Sequence, residues 1–130
     1  MTGFDFPEDG RGLATVDWDF DGDLDLWLTN RTAPRVRFLK NNVEKKPFVA
    51  LKLRGGGRLT NRDAIGARVT ITSALGTQIR DIRSGDGFRY MSYLGAHFGL
   101  GQDEEVLQVT VRFPSGIVNT IDNPAINGTV

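Results

Sequence analysis

The sequence predicts an all-β protein on three observations. Sixteen glycines against two methionines, in a chain of 130 residues where Val, Ile and Thr are frequent, favour strands and tight turns over helices. Apolar residues alternate with polar ones at period two, most cleanly where Leu107, Val109, Val111 and Phe113 interleave with Gln108, Thr110 and Arg112. Turn-forming Gly, Pro, Asn and Asp separate these runs at short spacings, which fits a compact antiparallel β-sandwich beyond about residue 44.

Residues 1 to 12, rich in Gly, Asp and Pro, read as an irregular leading loop. Leu13 to Val16 form a short strand into the acidic stretch 17 to 25, and Leu24, Leu26 and Leu28 alternate with Asp25, Trp27 and Thr29 as the strand leaving it. Asn30 to Pro34 is a turn, Val36 to Lys40 a further strand, and the polar run Asn41 to Pro47 a linker, dividing the chain into 1–43 and 44–130. Val49, Leu51 and Leu53 make a half-buried strand that stops at Gly55-Gly56-Gly57. Ala67 to Ser73 follows with Val69 and Ile71 inward, and Leu75-Gly76 is the expected hairpin turn into Thr77 to Arg83. Phe88 to Leu94 reads as aromatic and extended, while Pro114-Ser115-Gly116 turns the 107–113 strand back into Ile117 to Ile121. Arg62 to Ile65 is the candidate turn of helix, too short to hold by itself.

Sixteen basic and sixteen acidic residues cancel, yet residues 1 to 30 hold eight acids against Arg11 alone. The basic remainder is scattered singly through alternating strands without aromatic interleaving, which argues against a nucleic-acid partner. The absence of cysteine removes disulfide and thiol chemistry and carries no information on compartment. No apolar run approaches the length of a transmembrane helix, so membrane insertion is not expected, and the polar start is not a signal peptide. A secreted protein would carry its signal upstream of this sequence.

The chemistry concentrates in Asp17-Trp-Asp-Phe-Asp-Gly-Asp-Leu-Asp25. Five carboxylates this close repel one another unless water or a cation screens them, and calcium prefers six to eight oxygen ligands supplied by a tightly curved loop. Asp17, Asp19 and Asp21 fill positions one, three and five of a calcium loop, and Gly22 at position six permits the sharp turn. Asp23 would coordinate through its backbone oxygen at position seven, and Asp25 at position nine would close the site by its side chain. An EF-hand is excluded by Leu28 at position twelve, where a bidentate Glu is required, and by flanking strands in place of helices. Magnesium demands a smaller, near-octahedral site, and zinc lacks Cys or a second His. The competing reading is a solvated acidic turn.

Other polar residues read as structural. His97, the single histidine, is expected at a strand end, with no second base or nucleophile placed by spacing. Ser115 is a turn residue without the strand-to-helix context of a nucleophile elbow. Arg62 and Asp63 read as a local ion pair or turn contact before a ligand site, and Gly99 and Gly101 as β-turn glycines, since no Lys follows them.

The stretch Gly12-Leu-Ala-Thr-Val-Asp-Trp-Asp-Phe-Asp-Gly-Asp-Leu-Asp-Leu-Trp-Leu-Thr-Asn30 resembles one FG-GAP or VCBS-type repeat, the calcium-looped blade of integrin-like β-propellers. Asn61-Arg-Asp-Ala-Ile-Gly-Ala-Arg-Val69, Ser84-Gly-Asp-Gly-Phe88, His97-Phe-Gly-Leu-Gly101 and Val111-Arg-Phe-Pro-Ser-Gly116 together resemble the ASPIC/UnbV domain, which follows propeller repeats in secreted proteins including the cartilage acidic proteins. The chain departs from that pattern at Phe113, where Trp is common, and at Met91-Ser92-Tyr93, which stands in place of a more usual Ser-Gln. The resemblance implies an antiparallel β-sandwich-like domain preceded by a single propeller-type blade fragment with a calcium loop. It also implies an extracellular, cell-surface or periplasmic recognition or adhesion module without catalysis, whose partner is a protein or glycan.

Because a propeller needs four to eight blades, further blades are expected upstream in the parent protein. The alternatives are a metal-dependent hydrolase built on the acidic loop and self-association through exposed strands. A catalytic metal keeps an open position and gathers a base around it, whereas this loop reads as saturated by its own carboxylates.

Overall fold

The computed structural model describes residues 4–85, 87, 90–102 and 104–130. All regular structure among them is β, and the expected turn of helix at Arg62 to Ile65 is a pair of turns. The chain forms two units, one of residues 1–43 with 85–93 and one of 44–84 with 94–130. The span 44–130 is therefore not continuous, because Gly85–Tyr93 leaves it for the first unit.

The first unit is a three-stranded antiparallel meander of β1 (Gly10–Val16), β2 (Asp25–Asn30) and β3 (Val36–Leu39). Strand β1 starts earlier than expected, at Gly10, with a register shift between Gly10 and Gly12. Ala14, Trp27 and Phe38 lie in one cross-strand row, and Thr15, Leu26 and Leu39 in the next, so each face of the sheet carries apolar side chains. Residues 90–93 run along β1 without forming a strand. The Thr15 N–H donates to Ser92 Oγ at 3.3 Å, and the Tyr93 N–H donates to Thr15 O at 3.2 Å. Gly12 admits this packing, because a Cβ there would meet Tyr90 Cδ1 at 2.8 Å and Thr29 Oγ1 at 2.9 Å. Phe88 and Arg89 of the expected aromatic run, and Asp86 of the Ser84–Phe88 motif, lie outside the described residues.

The second unit is the sandwich. Its strands are β4 (Phe48–Leu51), β5 (Arg68–Ser73), β6 (Gly76–Asp81), β7 (Ala96–Gly99), β8 (Gln108–Arg112), β9 (Val118–Asp122) and β10 (Gly128–Thr129). One sheet has the order β10-β4-β7 and the other β6-β5-β8-β9. All pairs are antiparallel except β10 on β4, which is parallel and was not legible as a strand from two residues. The β5–β6 turn falls on Ala74-Leu75 rather than Leu75-Gly76, with Gly76 (φ 135°) paired to Ser73 and opening β6.

The core joins the inner faces of both sheets: Val49, Leu51, Ala96 and Phe98 from one, and Val69, Ile71, Val109 and Val111 from the other, all buried. The alternation that predicted β8 is met at Val109 and Val111, while Leu107 and Phe113 at its ends are exposed and half-buried. Phe98 is completely buried, and the Arg80 guanidinium lies 5.3 Å from its ring centroid.

Candidate metal centre

The acidic stretch is the connection between β1 and β2, entered from Val16 and left at Asp25. Two aspartates clasp its backbone. Asp17 accepts the N–H of Asp21 on Oδ1 and of Gly22 on Oδ2, both at 3.1 Å, which folds the loop back on its first residue. Phe20 (φ 58°) and Gly22 (φ 97°) take the left-handed conformations this turn requires, and Phe20 is 90% exposed, so its ring contributes almost nothing in return. Asp25 is fully buried; its Oδ1 accepts the Asn41 N–H at 2.8 Å and its Oδ2 the Trp18 N–H at 3.2 Å. It ties the loop to the segment after β3.

Asp17, Asp19 and Asp21 each bring a carboxylate oxygen within 4.8 Å of the others. The Asp25 carboxylate lies outside that group, while Asp23 is expected through its backbone oxygen and not its side chain. Like Asp17, Asp25 has both carboxylate oxygens on backbone amides. Asp23 has its N–H on Asp21 Oδ1 at 3.3 Å, and its own Oδ1 is buried without a partner among the described residues. Burial pushes the Asp23 carboxyl above its ordinary value, with the Asp21, Asp25, Asp19 and Asp17 charges adding to it.

Lys40, just past β3, supplies the countercharge, hydrogen bonding Asp19 Oδ2 and lying 4.0 Å from Asp21 Oδ2. That contact holds Asp19 below the usual carboxylate range and raises Lys40. No spacing along the chain signals this lysine, which reaches the loop because β3 pairs with β2.

The donor set suits a hard divalent cation. Three convergent carboxylates remain able to accept beyond their amide bonds, since an ionised carboxylate has about four lone-pair sites. The Asp23 Oδ1 has no partner among the described residues, and its carboxyl is raised first by burial and then by the neighbouring carboxylates. Beside the loop, Trp18 and Trp27 pack edge to face at 5.2 Å and Trp27 lies 4.8 Å from Phe38, an aromatic column on the sheet.

In the second unit the residues flagged by sequence make local contacts. His97 stacks on Phe48 at 5.2 Å across the β4–β7 pair. Thr60 Oγ1 donates to Ser115 Oγ at 2.9 Å, and a Cβ on Gly66 (φ 92°) would come within 3.1 Å of Pro114 Cγ, so the 61–69 and 111–116 motifs meet. Asn61 braces the turn by exchanging hydrogen bonds with Ile65, at 2.7 and 2.8 Å. Of the ion pair or turn contact expected at Arg62 and Asp63, the turn is present, with the Gly55 N–H donating to Arg62 O at 2.9 Å, and no ion pair joins the two among the described residues.

Fold and loop define a two-unit all-β protein: a β-meander carrying an acidic turn and a two-sheet sandwich. Residues 57–130 match the family model described as ASPIC and UnbV. That is more than half of the chain, and the chain belongs to this family. No curated protein matches it. Among the described residues no helix is long and apolar enough to cross a membrane.

Proposed function

We propose that this chain is a calcium-stabilised recognition module without catalysis, part of a larger extracellular, cell-surface or periplasmic protein, and that residues 12–30 are an FG-GAP or VCBS-type blade. The observation that carries the reading is the convergence of Asp17, Asp19 and Asp21 on a loop whose backbone Asp17 and Asp25 already fix. A cation there would neutralise the repulsion that burdens Asp23 and hold the β1–β2 turn. Asp17, Asp19 and Asp21 would be its carboxylate ligands.

Calcium at the millimolar level found outside cells suits a site with few protein ligands, whose dissociation constants lie at about 10⁻⁴ to 10⁻³ M in extracellular modules. Lys40, the cation paired with Asp19, has its pKa raised and offers no base at neutral pH, which favours a binding role over a catalytic one. Recognition of a protein or glycan then falls to the surfaces of the two units.

The test is calorimetric titration of chelator-stripped protein with calcium, together with thermal unfolding. Binding to the folded state alone gives about 2.7 kcal/mol of stabilisation at a hundredfold excess over Kd. Asp17→Ala should remove most of it. Absence of both heat and thermal shift at several millimolar calcium overturns the proposal.

A further inference from the structure

We propose that the second unit carries an anionic-saccharide site in the cleft lined by Lys52, Leu53, Arg54, Arg62 and Asp63, about 450 Å³ in volume. It deepens the recognition reading and rests on it, but not on calcium.

Three cations meet there for identifiable reasons. Exposure goes on alternating past the end of β4: Leu51 is buried and Leu53 packs on the core, while Lys52 and Arg54 are exposed. Arg62 is delivered to them by a braced turn: the Gly55 N–H donates to Arg62 O at 2.9 Å, next to Arg54. Only glycine allows that approach, because a Cβ on Gly55 would lie 2.0 Å from Asn61 O. Ala64 in the left-handed region (φ 53°) and the two Asn61–Ile65 hydrogen bonds fix the turn.

Lys52, Arg54 and Arg62 are exposed and have no ion pair among the described residues, although Asp63 shares the cleft. Gathering like charges without a partner costs free energy that a bound oxyanion would recover. The remaining lining selects the ligand class. A uronate or sulfated sugar offers an oxyanion for the cations, hydroxyls that donate to the Asp63 carboxylate, and a C–H ring face for Leu53. An acidic peptide would satisfy the cations but brings no hydroxyl for the Asp63 carboxylate and no C–H ring face for Leu53.

The probe is a heparin-derived tetrasaccharide titrated calorimetrically into the full chain, with a tetraglutamate peptide as the competing arm, each with and without calcium. The triple variant K52Q/R54Q/R62Q should bind the saccharide about tenfold or more weakly and show a smaller salt dependence, because charge-assisted hydrogen bonds are lost. K45Q/K46Q/R112Q removes the same charge from the same unit away from the cleft, and should change affinity less than about threefold if attraction is not merely long-range. Asp63→Ala removes the hydroxyl acceptor and should weaken the saccharide relative to the peptide.

Equal losses in the two triple variants, no saccharide binding by the parent chain, or tighter binding of the peptide than of the saccharide each overturn the proposal. Circular dichroism of every variant separates these results from misfolding. Calcium-independent saccharide binding with no calcium heat would sink the metal reading and leave this one standing.

Discussion

Asp25→Ala separates a clasp from a ligand. The carboxylate is buried and receives two backbone amides, from Asn41 at 2.8 Å and Trp18 at 3.2 Å. A hydrogen bond to a charged group contributes about 1.5–3 kcal/mol, so two such bonds set a loss of about 3–6 kcal/mol. Trp18 is 58% exposed, which lets water replace the longer bond and places the expectation near the lower end, about 3 kcal/mol. That is a large share of the 5–15 kcal/mol that typically holds a domain.

The assay is urea unfolding in chelator, followed by tryptophan fluorescence. The chain has two tryptophans, Trp18 and Trp27, and each is in the first unit, so the signal reports that unit alone. Asp25→Asn keeps one acceptor and should fall between wild type and Ala. A loss below about 1 kcal/mol in chelator refutes the reasoning, since it would mean that the two amide bonds add nothing to the calcium-free fold. A loss seen only with calcium would make Asp25 a ligand and not a clasp.

Three further outcomes are expected. Lys40→Gln removes a tethered cation that competes for Asp19, so calcium affinity measured by calorimetry should rise about two- to fivefold, as for a partly exposed ion pair. Phe98→Ala, at a completely buried position between the two sheets, should cost about 3–5 kcal/mol in denaturant unfolding followed by circular dichroism. Arg68 holds Asp81 through paired hydrogen bonds of 2.8 and 3.1 Å and keeps its carboxyl below the ordinary value. A depressed folded-state value contributes stability that is present above the unfolded value, about 3.9, and is lost as pH falls through the folded one. Stability measured from pH 7 to 2 should show that acid loss, and Arg68→Gln should flatten it.

Strand identity was readable where burial alternates. β5 and β8 sit in the middle of a four-stranded sheet, so Val69, Ile71, Val109 and Val111 must all be apolar, and the pattern survives in the sequence. β7 and β10 were not readable. Ala96–Gly99 offers two core residues, Ala96 and Phe98, among glycines, and Gly128–Thr129 owes its pairing to β4 rather than to its own side chains. The segment 90–93 has strand-like residues yet forms none, because its partner groups go to Thr15 in single contacts and not to a ladder.

Alternation and charge spacing are local properties of the chain, so the all-β class and the crowding of five aspartates in one turn could be read from the residues alone. How those aspartates divide depends on contacts made in three dimensions. Asp17, Asp19 and Asp21 converge, Asp25 turns inward to amides that are 7 and 16 residues away, and Lys40 reaches Asp19 across 21 residues. The same holds for Lys52, Arg54 and Arg62, which share a cleft through the Gly55–Arg62 backbone bond. Contacts of that kind depend on which strands and loops become neighbours. Pairing across long loops is set by the competition of whole sheets for partners, which no short window of residues records.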